Sequence, residues 1–183
     1  MSSPLFVRED LASTPRRKLF TLLGVRWEAT PRAWQHLVGL LVVGITAAIL
    51  IRPVDGLVLQ IGVGLLYGLI IEASYALHNV GHTLSGRLAG SPMQANLITA
   101  TRMVNLYDES REQPRRVHLL RALGGPLINI LAGLLIALVW WIAGPNHWLE
   151  FAAAANLVYG VGALAPIRSL DGGVIFERFL PRP

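Results

Sequence analysis

An all-α membrane protein of about four transmembrane helices is what the sequence predicts, on three observations. Of 183 residues, 53% are apolar and only 15% charged, with a mean hydropathy of +0.50. Soluble domains carry roughly 25% charged residues, so this chain cannot cover a water-facing surface and an ordinary soluble enzyme is excluded. The apolar residues gather in four runs, at 33–51, 56–77, 123–142 and 149–165. Fifteen of the sixteen Lys and Arg residues fall on one side of the resulting four-span arrangement.

The segment 1–32 comes first, a tail rich in Arg and Pro. It holds Arg8, Arg16, Arg17, Lys18, Arg26 and Arg32. Leu19, Phe20, Leu22, Leu23 and Trp27 recur at helical spacing, which predicts a short interfacial helix. The run at 33–51 starts too far into the chain for a cleavable signal peptide and lacks a small-residue cleavage site. Arg52-Pro53 closes it. The run at 56–77 carries one acid, Glu72, near its end. Three of the runs approach or reach the roughly 20 residues that a helix needs to cross the hydrocarbon. The fourth is shorter and borrows length from its flanks. Gly144-Pro145 and Pro166 close the third and fourth. The membrane domain is therefore 33–175, and 176–183 is a short C-terminal tail. Gly39, Gly44, Gly62, Gly64 and Gly68 predict close helix approach.

Charge placement orients the spans. Only Arg52 lies on the side opposite the other basic residues, so the positive-inside rule puts both termini in the cytoplasm. The outer connections, 52–55 and 143–148, are short, and Trp140, Trp141 and Trp148 stand where an outer aromatic belt would lie. The chain is a multi-pass integral membrane protein whose first partner is the lipid bilayer. Its excess of five positive charges belongs to this topology. No phosphate loop or aromatic stacking motif points to nucleic acid. The absence of Cys rules out disulfides and thiolate metal sites. His36, His118 and His147 fall at span edges and read as interfacial.

Ionisable groups at membrane depth are costly and point to function. His78 and His82 are four residues apart, so a helix stacks them on one face, the spacing at which two imidazoles grip one metal ion. Helix packing is the competing use of such a pair. Asp171 follows the Pro166 break at the inner end of the fourth run, within Leu170-Asp171-Gly172-Gly173. Topology places all three side chains in one leaflet. Two imidazoles, a carboxylate and an open position make the composition of a catalytic zinc site. In the absence of metal, the Asp171 charge needs another partner, with water, Asn79 and Arg168 as candidates. Glu72 lies about 240° around the helix from His78, on another face.

The chain resembles the site-2 protease family of intramembrane zinc metalloproteases. That family's signature is a His-Glu-x-x-His helix, a Gly-Pro-x-x-Asn sequence opening the next core helix, and an Asn-x-x-Pro…Leu-Asp-Gly stretch on a later one. Here these stand as His78-Asn79-Val80-Gly81-His82, Gly125-Pro126-Leu127-Ile128-Asn129, and Ala163-Leu164-Ala165-Pro166 followed by Leu170-Asp171-Gly172-Gly173. The resemblance covers about 56–175. It implies a site-2-protease-like core and Zn2+ held by His78, His82 and Asp171. The expected location is a prokaryotic inner membrane.

Two departures bear on activity. The family's general base is the Glu after the first His, and Asn79 stands there. An amide has no proton affinity near neutral pH and cannot relay a proton. The family's Asn before the Pro is Ala163, whose methyl cannot hold a substrate carbonyl. Glu72 is a poor substitute base. No substrate-gating domain such as a PDZ domain is visible. These observations predict a pseudoprotease that keeps a potential zinc site and serves as a binding or structural subunit of a membrane complex with protein partners. The rival expectation is an active intramembrane zinc metalloendopeptidase. A transporter or channel has little support, because the chain shows no inverted repeat.

Overall fold

The computed structural model describes residues 13–108, 110 and 112–179 of the chain. Along it run β1 (Arg17–Leu22), β2 (Val25–Ala29), α1 (Ala33–Ile51), α2 (Leu57–Leu88), β3 (Met93–Ile98), β4 (Met103–Tyr107), α3 (Arg115–Ala143), α4 (His147–Ala163) and α5 (Asp171–Phe179). Among the described residues, α1, α2 and α3 are long and apolar enough to cross a membrane. Their outward faces carry large apolar side chains such as Leu50, Val58 and Leu131, which suit lipid and not water. The protein is an integral membrane protein. With 17 residues, α4 is about 26 Å long, short of the roughly 30 Å hydrocarbon thickness.

The expectation of an all-α protein is corrected by a four-stranded sheet of order β1-β2-β3-β4. The segment expected as an interfacial helix is the β1–β2 hairpin. Leu23 and Gly24 both have positive φ, 48° and 66°, which is the backbone of a two-residue hairpin loop matched to strand twist. The ladder then pairs Leu22 with Val25 and Phe20 with Trp27, whose rings stack at 5.3 Å. Short apolar runs fit a helical period and a strand equally well, and here cross-strand pairing decided. The connection after α2 is likewise structured. β3 pairs antiparallel with β4 and parallel with β2, so the segment before α1 is docked onto the segment after α2. Arg8 and Arg182 lie outside the described residues, as do Glu109 and Arg111 of the charged connection.

The helices pack through their glycines. A Cβ on Gly44 would collide with the backbone of Gly64 and Gly68, and one on Gly64 with Ile45, so α1 and α2 touch backbone to backbone. Beyond this contact, Ala48, Val63 and Tyr67 form a buried cluster, with the Tyr67 ring stacked on Phe151 at 3.7 Å and edge-on to Trp148 at 5.6 Å. Gly81 and Gly124 do the same for α2 and α3. The sheet leans on the later part of α2, where Met93 Sδ lies 3.9 Å from Thr83 Oγ1 and the Met103 amide donates to Tyr75 Oη at 3.1 Å. That is the stretch of α2 that carries His78 and His82.

Candidate metal centre

α2 continues well past its apolar run, so His78 and His82 sit one turn apart inside a regular helix, their ring centroids 4.6 Å apart. Both are buried. Asp171 reaches them from the first turn of α5. Its Oδ2 lies 3.0 Å from His78 Nε2 and its Oδ1 3.4 Å from His82 Nε2. One ligand atom from each residue falls within 4.8 Å of the others, the one such group among the described residues. The two glycines after Asp171 explain its position. A Cβ on Gly172 would strike the carbonyls of Leu164 and Ala165, and one on Gly173 the carbonyl of Ile167. The chain therefore folds tightly under the end of α4 and delivers the carboxylate inward.

The remaining ring nitrogens are committed elsewhere. His78 Nδ1 is 2.9 Å from Asn129 Oδ1, and His82 Nδ1 is 2.7 Å from the Arg121 carbonyl. The tautomers follow from the partners. Asn129 Nδ2 donates to the Ser74 carbonyl at 2.9 Å, and a carbonyl can only accept, so the amide orientation is settled and Oδ1 must accept from His78. The Arg121 carbonyl can likewise only accept from His82. Each imidazole therefore carries a proton on Nδ1. In the neutral state both Nε2 lone pairs face the Asp171 carboxylate, which brings acceptors together with no donor between them.

The support extends further. Asn129 Nδ2 also donates to Asn156 Oδ1 at 2.8 Å, and Asn156 Nδ2 donates to Ser74 Oγ and the Ala152 carbonyl, both at 2.9 Å. A fully bonded polar cluster thus locks α2, α3 and α4 together and holds the His78 ring in place. Pro126 contributes by omission. It has no N–H, so the Ala122 carbonyl, next to that of Arg121, has no helical donor from position 126. Gly125 faces the histidines directly, and a Cβ there would collide with both Nε2 atoms. Sequence reading passed over Ser74, Asn156 and the Arg121 carbonyl. A lone Asn inside the fourth apolar run was the available signal for Asn156, whereas a backbone carbonyl leaves none.

Burial alone would raise the Asp171 carboxyl. Where an imidazole carries a second proton, on Nε2, its hydrogen bond and charge outweigh burial and hold the group down at about 2. The expectation that Arg168 would compensate this acid is corrected, because Arg168 is exposed and pairs with Glu177 at 3.6 Å. Asn79 is buried, and its Nδ2 donates to the Tyr75 carbonyl at 2.8 Å and to Met103 Sδ at 3.3 Å. Its amide is thereby tied to its own helix and to β4. Ala163 is buried at the end of α4. Glu72 stands outside the cluster, with Oε2 3.3 Å from His36 Nε2. His36 itself is buried against α2, its ring 5.1 Å from Tyr75, which corrects the interfacial reading of that residue.

The chain shares its fold with the Site-2 Protease from Methanocaldococcus jannaschii, with a TM-score of 0.63 and 22% sequence identity, over 88% of this chain and 70% of that chain. No family model matches the chain, and no curated protein matches it.

Proposed function

We propose that the chain is a site-2-protease-like pseudoprotease. It holds Zn2+ through His78, His82 and Asp171 and acts as a binding or structural subunit of a membrane assembly. The observation that carries the metal reading is the arrangement of acceptors. Both Nδ1 protons are spent on Asn129 and Arg121, which leaves two Nε2 lone pairs against a carboxylate around the space that Gly125 keeps open. A divalent cation satisfies all three groups at once, and the donor set of two imidazoles and one carboxylate suits zinc. Bound zinc would supply Lewis acidity, polarising a carbonyl or lowering the pKa of water.

The inactive reading rests on the chain's own residues. Asn79 occupies the position of the general base, cannot take up a proton, and spends its amide on Tyr75 and Met103. Ala163 offers no polar atom to a substrate. Glu72 is engaged with His36 and does not replace the base. The reading includes four spans, with α4 as the shortest, and both termini in the cytoplasm of a prokaryotic cell. The domains are the tail 1–32, the membrane domain 33–175 and the tail 176–183.

The test combines metal content, proteolysis and complex integrity. Purified full-length protein should carry close to one zinc per chain, and His78→Ala should carry none. Wild type should leave a membrane-spanning substrate uncut, while its deletion should disrupt a membrane complex. Zinc-dependent cleavage by wild type that His78→Ala abolishes would establish the active endopeptidase in place of this reading.

A further inference from the structure

Arg121 is a buried charge without a counter-charge. It stands in the second turn of α3 and is 6% exposed. Its guanidinium donates from Nη2 to Ser91 Oγ, and its Cζ lies 3.8 Å from the centre of the Tyr107 ring. Its Nε has no hydrogen-bond partner, and neither has the buried Tyr107 hydroxyl. Among the described residues, no carboxylate forms an ion pair with Arg121. The charge of Asp171 is felt at Tyr107 beside that of Arg121, but His78 and His82 hold that carboxylate. A ring face offsets part of the charge. One ring and one neutral hydroxyl do not neutralise a full positive charge taken out of water.

This charge is backed against a cleft. Ser91 belongs to the wall of a cleft of about 390 Å³, together with Gly90, Pro92, Gln94, Asp108 and Gln113. A guanidinium can only donate, so the Ser91 oxygen is the acceptor and its own O–H is left over. That proton has no acceptor among the described residues, and the cleft is the open space beside it. A hydroxyl that accepts from a cation becomes a better donor in turn. Gln94 adds an exposed side-chain amide. Asp108 acts in the opposite sense. Its carboxylate accepts from the Ser110 amide at 2.9 Å and places one negative charge in the same wall. The cleft therefore attracts an oxyanion but limits the charge it can carry. Its volume is that of a small-molecule pocket, more than a bare ion needs.

We propose that this cleft binds a phosphodiester of single negative charge, free in solution or as the headgroup of a phospholipid. One phosphate oxygen accepts from Ser91, and Arg121 supplies the counter-charge through that hydroxyl. The site adjoins the candidate metal centre through one residue, since the Arg121 carbonyl accepts from His82 Nδ1 at 2.7 Å, but it does not rest on the metal reading.

The test is isothermal titration of full-length protein in dodecyl maltoside, which carries no phosphate. Glycerophosphoglycerol, a singly charged diester, should bind saturably at close to one per chain. Arg121→Gln should weaken it by about 10–100-fold, the loss expected when a charged hydrogen-bonding partner is removed. Asp108→Asn leaves the buried residues untouched, and its amide oxygen still accepts from Ser110. It should bind the diester several-fold more tightly and admit the doubly charged glycerol 3-phosphate, which wild type should bind more weakly than the diester. Nanodiscs of phosphatidylglycerol separate the two sources. Undiminished binding of the soluble diester there identifies a soluble occupant, and blocked binding identifies the lipid headgroup. Absence of saturable binding by wild type in dodecyl maltoside would overturn the proposal. So would binding that neither Arg121→Gln nor Asp108→Asn changes, or a wild-type preference for glycerol 3-phosphate over the diester.

Discussion

Asn129 carries more of the candidate metal centre than its distance in sequence implies. It accepts from His78, donates to Ser74 and Asn156, and so fixes both a tautomer and a helix junction. Asn129→Ala should weaken zinc binding by about 10–100-fold, as loss of an outer-shell partner does elsewhere, and should also lower thermal stability. Gly125→Ala separates the two effects. Alanine favours a helix, yet its methyl would occupy the space before both Nε2 atoms, so zinc content should fall while the helical signal in circular dichroism is kept. Proton competition has a definite sign. Asp171 is held at about 2 and stays ionised at all ordinary pH. An imidazole ligates metal only through an unprotonated nitrogen, so zinc occupancy measured by equilibrium dialysis should fall as pH is lowered. At position 79 the surroundings oppose a simple reversion. Asn79→Glu would put a carboxylate against the Tyr75 carbonyl, so it should recover little proteolysis by itself. Asn79→Glu with Ala163→Asn is the fairer trial in a cleavage assay.

At the scale of elements, the α1–α2 contact depends on the absence of side chains. Gly44→Ala should destabilise the protein by about 1–3 kcal/mol, because its methyl meets the backbone of α2 and neither helix can yield cheaply. Gly39→Ala, where a Cβ meets nothing within 4 Å, should be neutral or slightly stabilising in the same detergent melt. Farther along the same pair of helices, His36 and Glu72 face each other in a largely buried setting. His36→Ala would leave the acid without its partner at membrane depth, which is costly. The sheet is the other organising element. It carries the only described strands, it ties residues before α1 to residues after α2, and it borders the helix face that holds Asn79.

For the whole molecule, topology is the property most open to test. If four spans place fifteen of sixteen basic residues on one side, reporter fusions at residue 183 and within 143–148 should report opposite compartments. The same compartment for both would remove α4 from the list of spans and leave the three helices whose length and hydropathy suffice without help. The polar cluster of Ser74, Asn129 and Asn156 bears on this. It joins α4 to α2 and α3 wherever α4 lies, so α4 moves with the core.

Composition, run length and charge asymmetry were enough to specify a membrane protein, because the hydrocarbon core imposes a length and a polarity that any crossing helix must meet. Spacing was enough to nominate His78 and His82, since four residues are one helical turn, and the break at Pro166 followed by Asp171-Gly172-Gly173 marked the third member. The tertiary structure decided what local pattern leaves open. Leu19 to Trp27 fit a helix as well as a hairpin, and a partner strand more than 60 residues away, β3, made the choice for sheet. The partners of each histidine Nδ1, the commitment of Asn79 to Met103, and the pairing of His36 with Glu72 all join residues distant in sequence. The helix-to-helix contacts among these arise where glycines let α1, α2 and α3 approach closely, and close approach is a property of packed surfaces that no single stretch of chain contains.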